Sequence, residues 1–155
     1  MSEIFINKAR AVAVTGHRAI KNIDREKLKL LFCSLIEKGY NTFLIGMALG
    51  FDTLCFETLV EIRKEQDIKL IACIPCEKQD LKFTLSQKKN YENMLSLADE
   101  KVYVGKEYTK TCMQKRNEFM VDHSSLLVAY LRRNFGGTFN TVRYAEKKNQ
   151  IIINI

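Results

Sequence analysis

The chain has 155 residues, 46% hydrophobic and 28% charged, a balance typical of a globular protein and not of a disordered or fibrous one. A chain of this length can bury a core without disulfides or metal, and we expect residues 1–155 to form a single domain. Its net charge of +7 favours an anionic partner, but the lysines are scattered and no arginine-rich stripe occurs, so a nucleic-acid footprint is disfavoured.

No apolar run approaches the length of a membrane span, and the short polar N-terminus does not resemble a signal peptide. We therefore expect a cytoplasmic protein that does not associate with membranes. The five cysteines, an odd number, are Cys33, Cys55, Cys73, Cys76 and Cys112. Four of them lie inside apolar periodic segments, which predicts reduced, mostly buried thiols.

Short apolar runs alternate with amphipathic segments along the chain. In chain order, the sequence predicts a strand at 11–15, a helix bounded by Asp24 and Gly39, a strand at 42–45, a helix from about 50 to 62, a strand at 68–73, a helix at about 86–97, a strand at 101–104, a helix at 111–121, a strand at 126–130, a helix at 138–148 and a strand at 151–155. The segment 77–85 is polar and lacks clear periodicity, so it is predicted to be a loop or a short helix.

Consecutive strand–helix units of this kind require parallel pairing and right-handed crossovers. The predicted fold class is therefore α/β: a doubly wound, mostly parallel sheet of about six strands, flanked by helices on both faces.

Ligands of open parallel sheets bind beyond the carboxyl ends of the strands. Three predicted strands end in glycine-containing loops: TGHR at 15–18, GMALGFD at 46–52 and RRNFGGT at 132–138. The last two lead into helix N-termini, where backbone N–H groups and the helix dipole favour anions. Candidate ligand-binding residues in these loops are Thr15, Gly16, His17, Arg18, Gly46, Gly50, Asp52, Gly136, Gly137 and Thr138.

Each of these residues also has a structural interpretation. Glycines are common turn residues, Asp52 fits a helix cap, and His17 fits a polar loop. Neither GxGxxG nor GxxxxGK[ST] occurs, which argues against a standard dinucleotide or nucleoside triphosphate site. The loops together predict a site for a phosphate-bearing small molecule.

Arg116 and Asn117 lie on the predicted helix 111–121 where a core-facing helix should be apolar. A buried guanidinium must find either a carboxylate, such as Glu57 or Asp52, or an anionic ligand, because an unpaired buried charge is costly. Both interpretations stay open, and we add Arg116 and Asn117 to the candidate ligand-binding residues.

Other reactive residue types are given structural roles. Cys73 and Cys76 form a CxxC sequence, but Cys73 ends a predicted strand and does not begin a helix, so redox catalysis is disfavoured. No second ligand pair stands at zinc spacing, so neither a metal nor a cofactor is predicted. His123 lies near a helix end and is assigned a structural role.

The loop motifs, taken in order, resemble the SLOG superfamily and, within it, the YpsA-like branch. The resemblance rests on TGHR at 15–18, GMALGFDTLCFE at 46–57, Pro75 with Gln79, MQKRNEFMVDHSSLLVAY at 113–130 and GGT at 136–138. It covers most of the chain and implies a Rossmann-like sheet that binds a nucleotide or a nucleotide-derived molecule. It also implies a homo-oligomer, for which the sequence offers no local signal.

One relative within the superfamily bears on activity. Arg116 matches the arginine of the Arg-Lys pair of the Lonely Guy (LOG) phosphoribohydrolases, with Asn117 in place of the lysine. The GGT tract resembles a shortened form of their PGGxGTxxE loop, but Val142 and Arg143 stand where the glutamate is expected. The loss of that carboxylate puts hydrolysis in doubt. The catalytic residues are therefore unknown, with Arg116, Glu57 and Asp52 as candidates.

Three functions follow from these observations. The leading hypothesis is a non-catalytic sensor or regulator that binds a nucleotide-like small molecule. The second is a nucleoside-monophosphate N-glycosidase, with Glu57 or Asp52 supplying the carboxylate. The third, by analogy with the DNA-processing protein DprA and from the basic charge, is a role in DNA handling.

Overall fold

The computed structural model describes residues 5–155, and within them strands and helices alternate from the first strand to the last. The elements are β1 (Ala11–Gly16), α1 (Arg25–Glu37), β2 (Thr42–Ile45), α2 (Phe51–Arg63), β3 (Lys69–Ile74), α3 (Leu85–Leu97), β4 (Glu100–Tyr103), α4 (Cys112–Asp122), β5 (Leu126–Tyr130), α5 (Gly137–Lys147) and β6 (Ile151–Asn154).

The six strands form one sheet in the order β4-β3-β2-β1-β5-β6, and every neighbouring pair is parallel. From β1 the chain moves outward through β2 and β3 to β4, then returns across the sheet to β5. Because crossovers are right-handed, α1, α2 and α3 cover one face, and the reversal places α4 and α5 on the other. The predicted doubly wound, Rossmann-like α/β fold is confirmed.

Alternate residues along the strands point to opposite faces of the sheet and contribute to two hydrophobic cores, one on each face. The larger core joins α1, α2 and α3 to the sheet through residues such as Phe32, Phe43 and Phe56. The smaller core packs Met120 of α4 and Ala145 of α5 against the opposite strand faces. Strands buried on both faces explain why β5 is continuously apolar in sequence and why β2 is apolar after Thr42.

Predicted and observed boundaries differ by only one or two residues, with β2 and β5 matching in full. Helix α3 begins before the predicted residue 86 because Thr84 forms a capping box with Gln87. The uncertain segment 77–85 is a series of turns up to the start of α3 and contains no helix of its own.

The five cysteines are free thiols, of which Cys33 is half-buried and the other four are buried. Burial raises the pKa of the Cys73 thiol to about 12, so the CxxC sequence holds no ready thiolate there. No helix within residues 5–155 is long and apolar enough to cross a membrane. The first four residues of the expected domain 1–155 lie outside the described part of the chain.

Candidate functional site

A cavity of about 720 Å³ opens at the carboxyl ends of β1 and β5. This is the point where the strand order reverses, because β1 is followed by β2 on one side and lies beside β5 on the other. Loops that leave neighbouring strands in opposite directions create a crevice at such a point. The cavity therefore lies where the topology predicts a ligand site.

Nine of the twelve candidate ligand-binding residues line this cavity. They are Thr15, Gly16, His17, Arg18, Asp52, Arg116, Asn117, Gly137 and Thr138. Gly46, Gly50 and Gly136 are not among the lining residues. The three glycine-containing loops and the core-facing guanidinium thus meet at one place, although not every glycine faces the cavity.

Arg116 is buried on α4 and is held by backbone oxygens. Its Nη1 group donates hydrogen bonds to the carbonyl oxygen of Gly46 and, at 3.3 Å, to that of Cys73, while Nε donates to Oδ1 of Asn117 at 2.7 Å. Within residues 5–155 the structure gives it no carboxylate oxygen closer than 4 Å. Of the two interpretations left open by the sequence, the structural ion pair with Glu57 or Asp52 is not formed, and carbonyls at the tips of β2 and β3 hold the guanidinium.

Asp52 lies in the first turn of α2 with its carboxylate buried beside the cavity. Its Oδ2 accepts a hydrogen bond from the backbone N–H of Ala48 at 3.1 Å, which closes the loop that precedes the helix. Burial raises the pKa of Asp52 to about 6, against the opposing influence of the nearby Arg116 charge. Burial also lowers the pKa of Arg116, but a guanidinium stays protonated in proteins.

Three glycines serve packing. A Cβ at Gly46 would stand 2.7 Å from Cζ of Arg116, and one at Gly16 would stand 2.4 Å from Cδ2 of Phe51. Gly50 has φ +86°, and a Cβ there would strike the backbone of Arg18. Gly46 and Gly50, which belong to the expected phosphate cradle at 46–50, are not among the residues that line the cavity. At these three glycines, the absence of a side chain lets the neighbouring loops and the Arg116 guanidinium pack closely.

The N-terminus of α5 opens into the cavity. The helix begins after Gly136, whose φ of +95° reverses the chain, and no side chain caps it. Gly137 and Thr138 line the cavity, and a Cβ on Gly137 would meet no atom within 4 Å. The first N–H groups of a helix lack intrahelical acceptors, so this end offers unused donors and a positive dipole to an anion.

His17 contributes a neutral imidazole, not a cation. Its Nε2 accepts a hydrogen bond from the backbone N–H of Arg132 at 2.9 Å, so the ring proton is on Nδ1. Burial, then the charges of Arg133 and Arg132, lowers the pKa of His17. The His17 ring therefore ties the β1 loop to the β5 loop and adds no positive charge beside Arg18.

Several lining residues were missed from the sequence: Ala19, Lys21, Asn22, Ala48, Met113, Tyr130, Arg132 and Arg133. Tyr130 ends β5, and its hydroxyl donates to the carbonyl of Lys21 at 2.9 Å and accepts from the same residue's N–H at 3.1 Å. The Arg132 guanidinium lies 4.3 Å from the centre of the Tyr130 ring. The sequence signal that could have identified Arg132 and Arg133 as site residues is their position as an adjacent pair shortly before a glycine turn.

Glu57 does not belong to the site. It lies five residues after Asp52 on α2, about 140° around the helix axis, and its side chain is exposed. Asp52 is the single carboxylate among the described residues that line the cavity, against the five cationic side chains of Arg18, Lys21, Arg116, Arg132 and Arg133. Such a cavity favours an anion with more than one negative charge.

The buried Gln79 supports the site from beneath. Its Nε2 donates to the carbonyl of Gly46 at 3.1 Å, and its Oε1 accepts from the hydroxyl of Tyr91 at 3.2 Å. In residues 5–155 no group of three or more histidine, cysteine, aspartate or glutamate side chains is arranged to hold a metal.

Residues 12–152 match the model of the YspA SLOG family (YpsA). The chain is 34% identical over 146 residues to the "Uncharacterized SPbeta prophage-derived protein YoqJ" of Bacillus subtilis (strain 168), covering 83% of this chain and 85% of that protein. It is 25% identical over 156 residues to a "UPF0398 protein" of Listeria monocytogenes serotype 4a (strain HCC23), covering 91% and 86%.

Two solved structures share the fold at low sequence identity. DNA processing protein A (DprA) from Streptococcus pneumoniae superposes with a TM-score of 0.70 at 18% identity, over 94% of this chain and 50% of that one. DprA from Helicobacter pylori, whose structure concerns a single-stranded DNA binding mode, gives a TM-score of 0.66 at 17% identity, over 94% of this chain and 65% of that one. The chain thus spans half to two thirds of the length of these proteins.

Proposed function

The chain belongs to the YspA SLOG family, and from that premise we propose that it binds a nucleotide or nucleotide-derived, phosphate-bearing small molecule as a non-catalytic sensor or regulator. The phosphate occupies the cavity between β1 and β5. Residues 1–155 act as one domain, and the reduced, buried thiols suit the cytoplasm.

The observation that carries this proposal is the meeting of an uncapped helix N-terminus with a ring of cations. Gly137 and Thr138 present backbone N–H groups to the same cavity that Arg18, Arg132 and Arg133 surround. Charge-assisted hydrogen bonds from guanidinium groups and helix N–H donors are the usual means of holding phosphate. Arg116 lies at the floor, where its charge offsets that of Asp52.

Three features favour binding without turnover. The segment after the glycine turn carries Val142 and Arg143 and no glutamate there, so the LOG-type carboxylate is missing from α5. Glu57, the other candidate, faces away from the cavity. Asp52 already accepts the N–H of Ala48, which fixes its orientation as a structural group.

One observation favours an N-glycosidase as the second candidate. Asp52 is buried at the cavity wall and has a pKa near 6, so a protonated fraction persists close to neutral pH. A carboxylic acid of this kind protonates a departing base while water adds to C1′ of the ribose. In that case Asp52 is the catalytic acid, oriented by the backbone N–H of Ala48.

A DNA-handling role is the third candidate. Phe135 is 62% exposed in the loop before α5, and the Arg133 guanidinium lies 4.8 Å from its ring centre. An exposed aromatic ring beside arginines is the arrangement that single-stranded nucleic acid uses for stacking and backbone contact. The low identity to DprA leaves this role to experiment.

The three candidates separate in one set of measurements on the purified chain. Thermal unfolding is followed with each ribonucleoside mono-, di- and triphosphate, since a ligand that binds only the folded state raises the midpoint. A shift with no release of free base on prolonged incubation, measured by chromatography, supports the sensor. If the wild type releases free base and Asp52→Asn abolishes that release, the protein is a glycosidase and not a sensor. The absence of any nucleotide shift, together with salt-sensitive binding of single-stranded oligonucleotides, contradicts the small-molecule proposal and favours DNA.

A further inference from the structure

A second cavity, of about 400 Å³, lies between α1 and β6. Its walls are aliphatic: Ile23, Leu28 and Leu31 on one side, and Ile153 and Ile155 on the other. The volume falls in the range of about 300–1,000 Å³ that small-molecule sites occupy. The residues that line the phosphate cavity do not include any of these five.

The two cavities are adjacent. Asn22 and Arg132 line both of them, so these two side chains form the boundary between the cavities. Asn22 has φ +57°, an uncommon conformation for a residue other than glycine, which fixes the turn between the cavities. One chamber is strongly cationic and the other is apolar, as a ligand with an anionic end and an apolar end requires.

We infer that the second cavity holds the nucleobase of the ligand whose phosphate occupies the first, an inference that rests on the proposed function. The faces of a base are apolar and pack on the side chains of Leu31 and Ile153. Its polar edge needs partners that both donate and accept, and the amide of Asn22 at the entrance supplies both.

Arg132 is placed to pack on the base at the junction. Its guanidinium already lies 4.3 Å from the centre of the Tyr130 ring, so its planar face has a stacking partner on the protein. Guanidinium groups stack on aromatic rings and pair with phosphate, which suits a residue that lines both chambers. Asp24, at the edge of the second cavity, is occupied in capping α1 through the N–H groups of Glu26 and Lys27.

Two adjacent leucines of α1 provide a matched test. Leu31 is half-buried and lines the second cavity, whereas Leu30 is 68% exposed and lines neither. Leu31→Trp fills the base site, and Leu30→Trp adds the same side chain to the surface. Ile155→Trp fills the site from the opposite wall if Leu31→Trp does not fold. The chain has no native tryptophan, so the emission of the introduced indole reports whether it is buried.

Binding is measured by calorimetry with the four common ribonucleoside 5′-monophosphates and with ribose 5-phosphate, which lacks the base. We expect the wild type to bind at least one nucleotide about tenfold or more tightly than ribose 5-phosphate, a difference of about 1.4 kcal/mol. The cavity-filling variants should lower that nucleotide's affinity to the level of ribose 5-phosphate and leave ribose 5-phosphate unchanged. Leu30→Trp should alter neither.

The result separates the two proposals. Equal wild-type affinity for ribose 5-phosphate and every nucleotide, or an unchanged nucleotide preference in a folded cavity-filling variant, overturns the base site while phosphate binding stands. If the wild type binds none of these compounds, the proposed function falls, and the base site falls with it.

Discussion

The guanidinium of Arg116 in α4 donates a hydrogen bond to the carbonyl oxygen of Gly46, which lies 70 residues earlier in the chain, directly after β2. The same group reaches the carbonyl of Cys73 in β3. One side chain thus joins a helix on one face of the sheet to two strand tips at the floor of the cavity. It also supplies the positive charge nearest to the buried carboxyl of Asp52.

Replacing Arg116 with methionine should therefore destabilise the fold as well as weaken anion binding. Arg116→Met keeps similar length but leaves the carbonyls of Gly46 and Cys73 without this donor, a change that should cost about 1–3 kcal/mol. Urea unfolding measures the loss. Lys115→Met, on the exposed neighbour, should change the free energy of unfolding by less than about 0.5 kcal/mol. Equal effects of the two variants would show that the Arg116 contacts contribute nothing.

Glycine-to-alanine changes should separate packing from ligand contact. In Gly46→Ala the new methyl would overlap the Arg116 guanidinium, so we expect a loss of about 1–3 kcal/mol in the free energy of unfolding. Gly137→Ala places its methyl in open space in the first turn of α5, so stability should be unchanged or slightly higher. Chemical unfolding measures the free energy of unfolding of each variant relative to the wild type. A destabilised Gly137→Ala together with a neutral Gly46→Ala would contradict this assignment.

Asp52 should make stability fall as the pH rises from 4 to 7. Because burial raises its pKa from the ordinary 3.8 to about 6, the folded state holds the proton more tightly than the unfolded chain. The stability this provides is complete below pH 3.8 and is lost as the pH rises through 6, a total of about 3 kcal/mol. Asp52→Asn removes this dependence, so its stability relative to wild type should increase across that interval in urea unfolding.

The same carboxyl should control anion binding. Sulfate is a suitable probe because its charge is constant between pH 5 and 8, unlike that of a phosphate monoester. We expect sulfate to bind the wild type more tightly at pH 5 than at pH 7.5, since protonation removes the negative charge of Asp52 from the cavity. Asp52→Asn should bind sulfate at pH 7.5 as tightly as the wild type does at pH 5. A wild-type affinity independent of pH would place the anion away from Asp52.

His17 should be neutral at pH 7 with its proton on Nδ1. The backbone N–H of Arg132 donates to Nε2, so Nε2 is unprotonated, and the burial of the ring lowers its pKa. The stabilisation from this lowered pKa is present above pH 6.5 and is lost as the pH falls through the folded-state value. Nitrogen-15 NMR of the imidazoles distinguishes the tautomers, with His17→Gln providing the assignment against His123. A protonated His17 at pH 7 would contradict the hydrogen bond.

The order of elements was predictable because both periodicities are strong in this chain. Apolar runs such as Leu126–Tyr130 are buried on both faces, and helices such as α1 carry a cap at Asp24 that the sequence displays. The family assignment was also predictable, because its motifs recur in order over most of the chain, and the family match confirms it. The polar segment 77–85 was not predictable, because its structure depends on the contacts of Gln79 with Gly46 and Tyr91.

The amino-acid sequence by itself determined the parallel α/β sheet, the helix ends and the gathering of glycine loops at one edge, because these follow from local periodicity and the handedness of crossovers. Only the tertiary structure decided which residues of those loops face the cavity. It assigned Gly46 and Gly50 to close packing, made His17 an acceptor, turned Glu57 away and placed an apolar cavity beside the cationic one. Those outcomes depend on contacts between residues far apart in the chain, which no local pattern records.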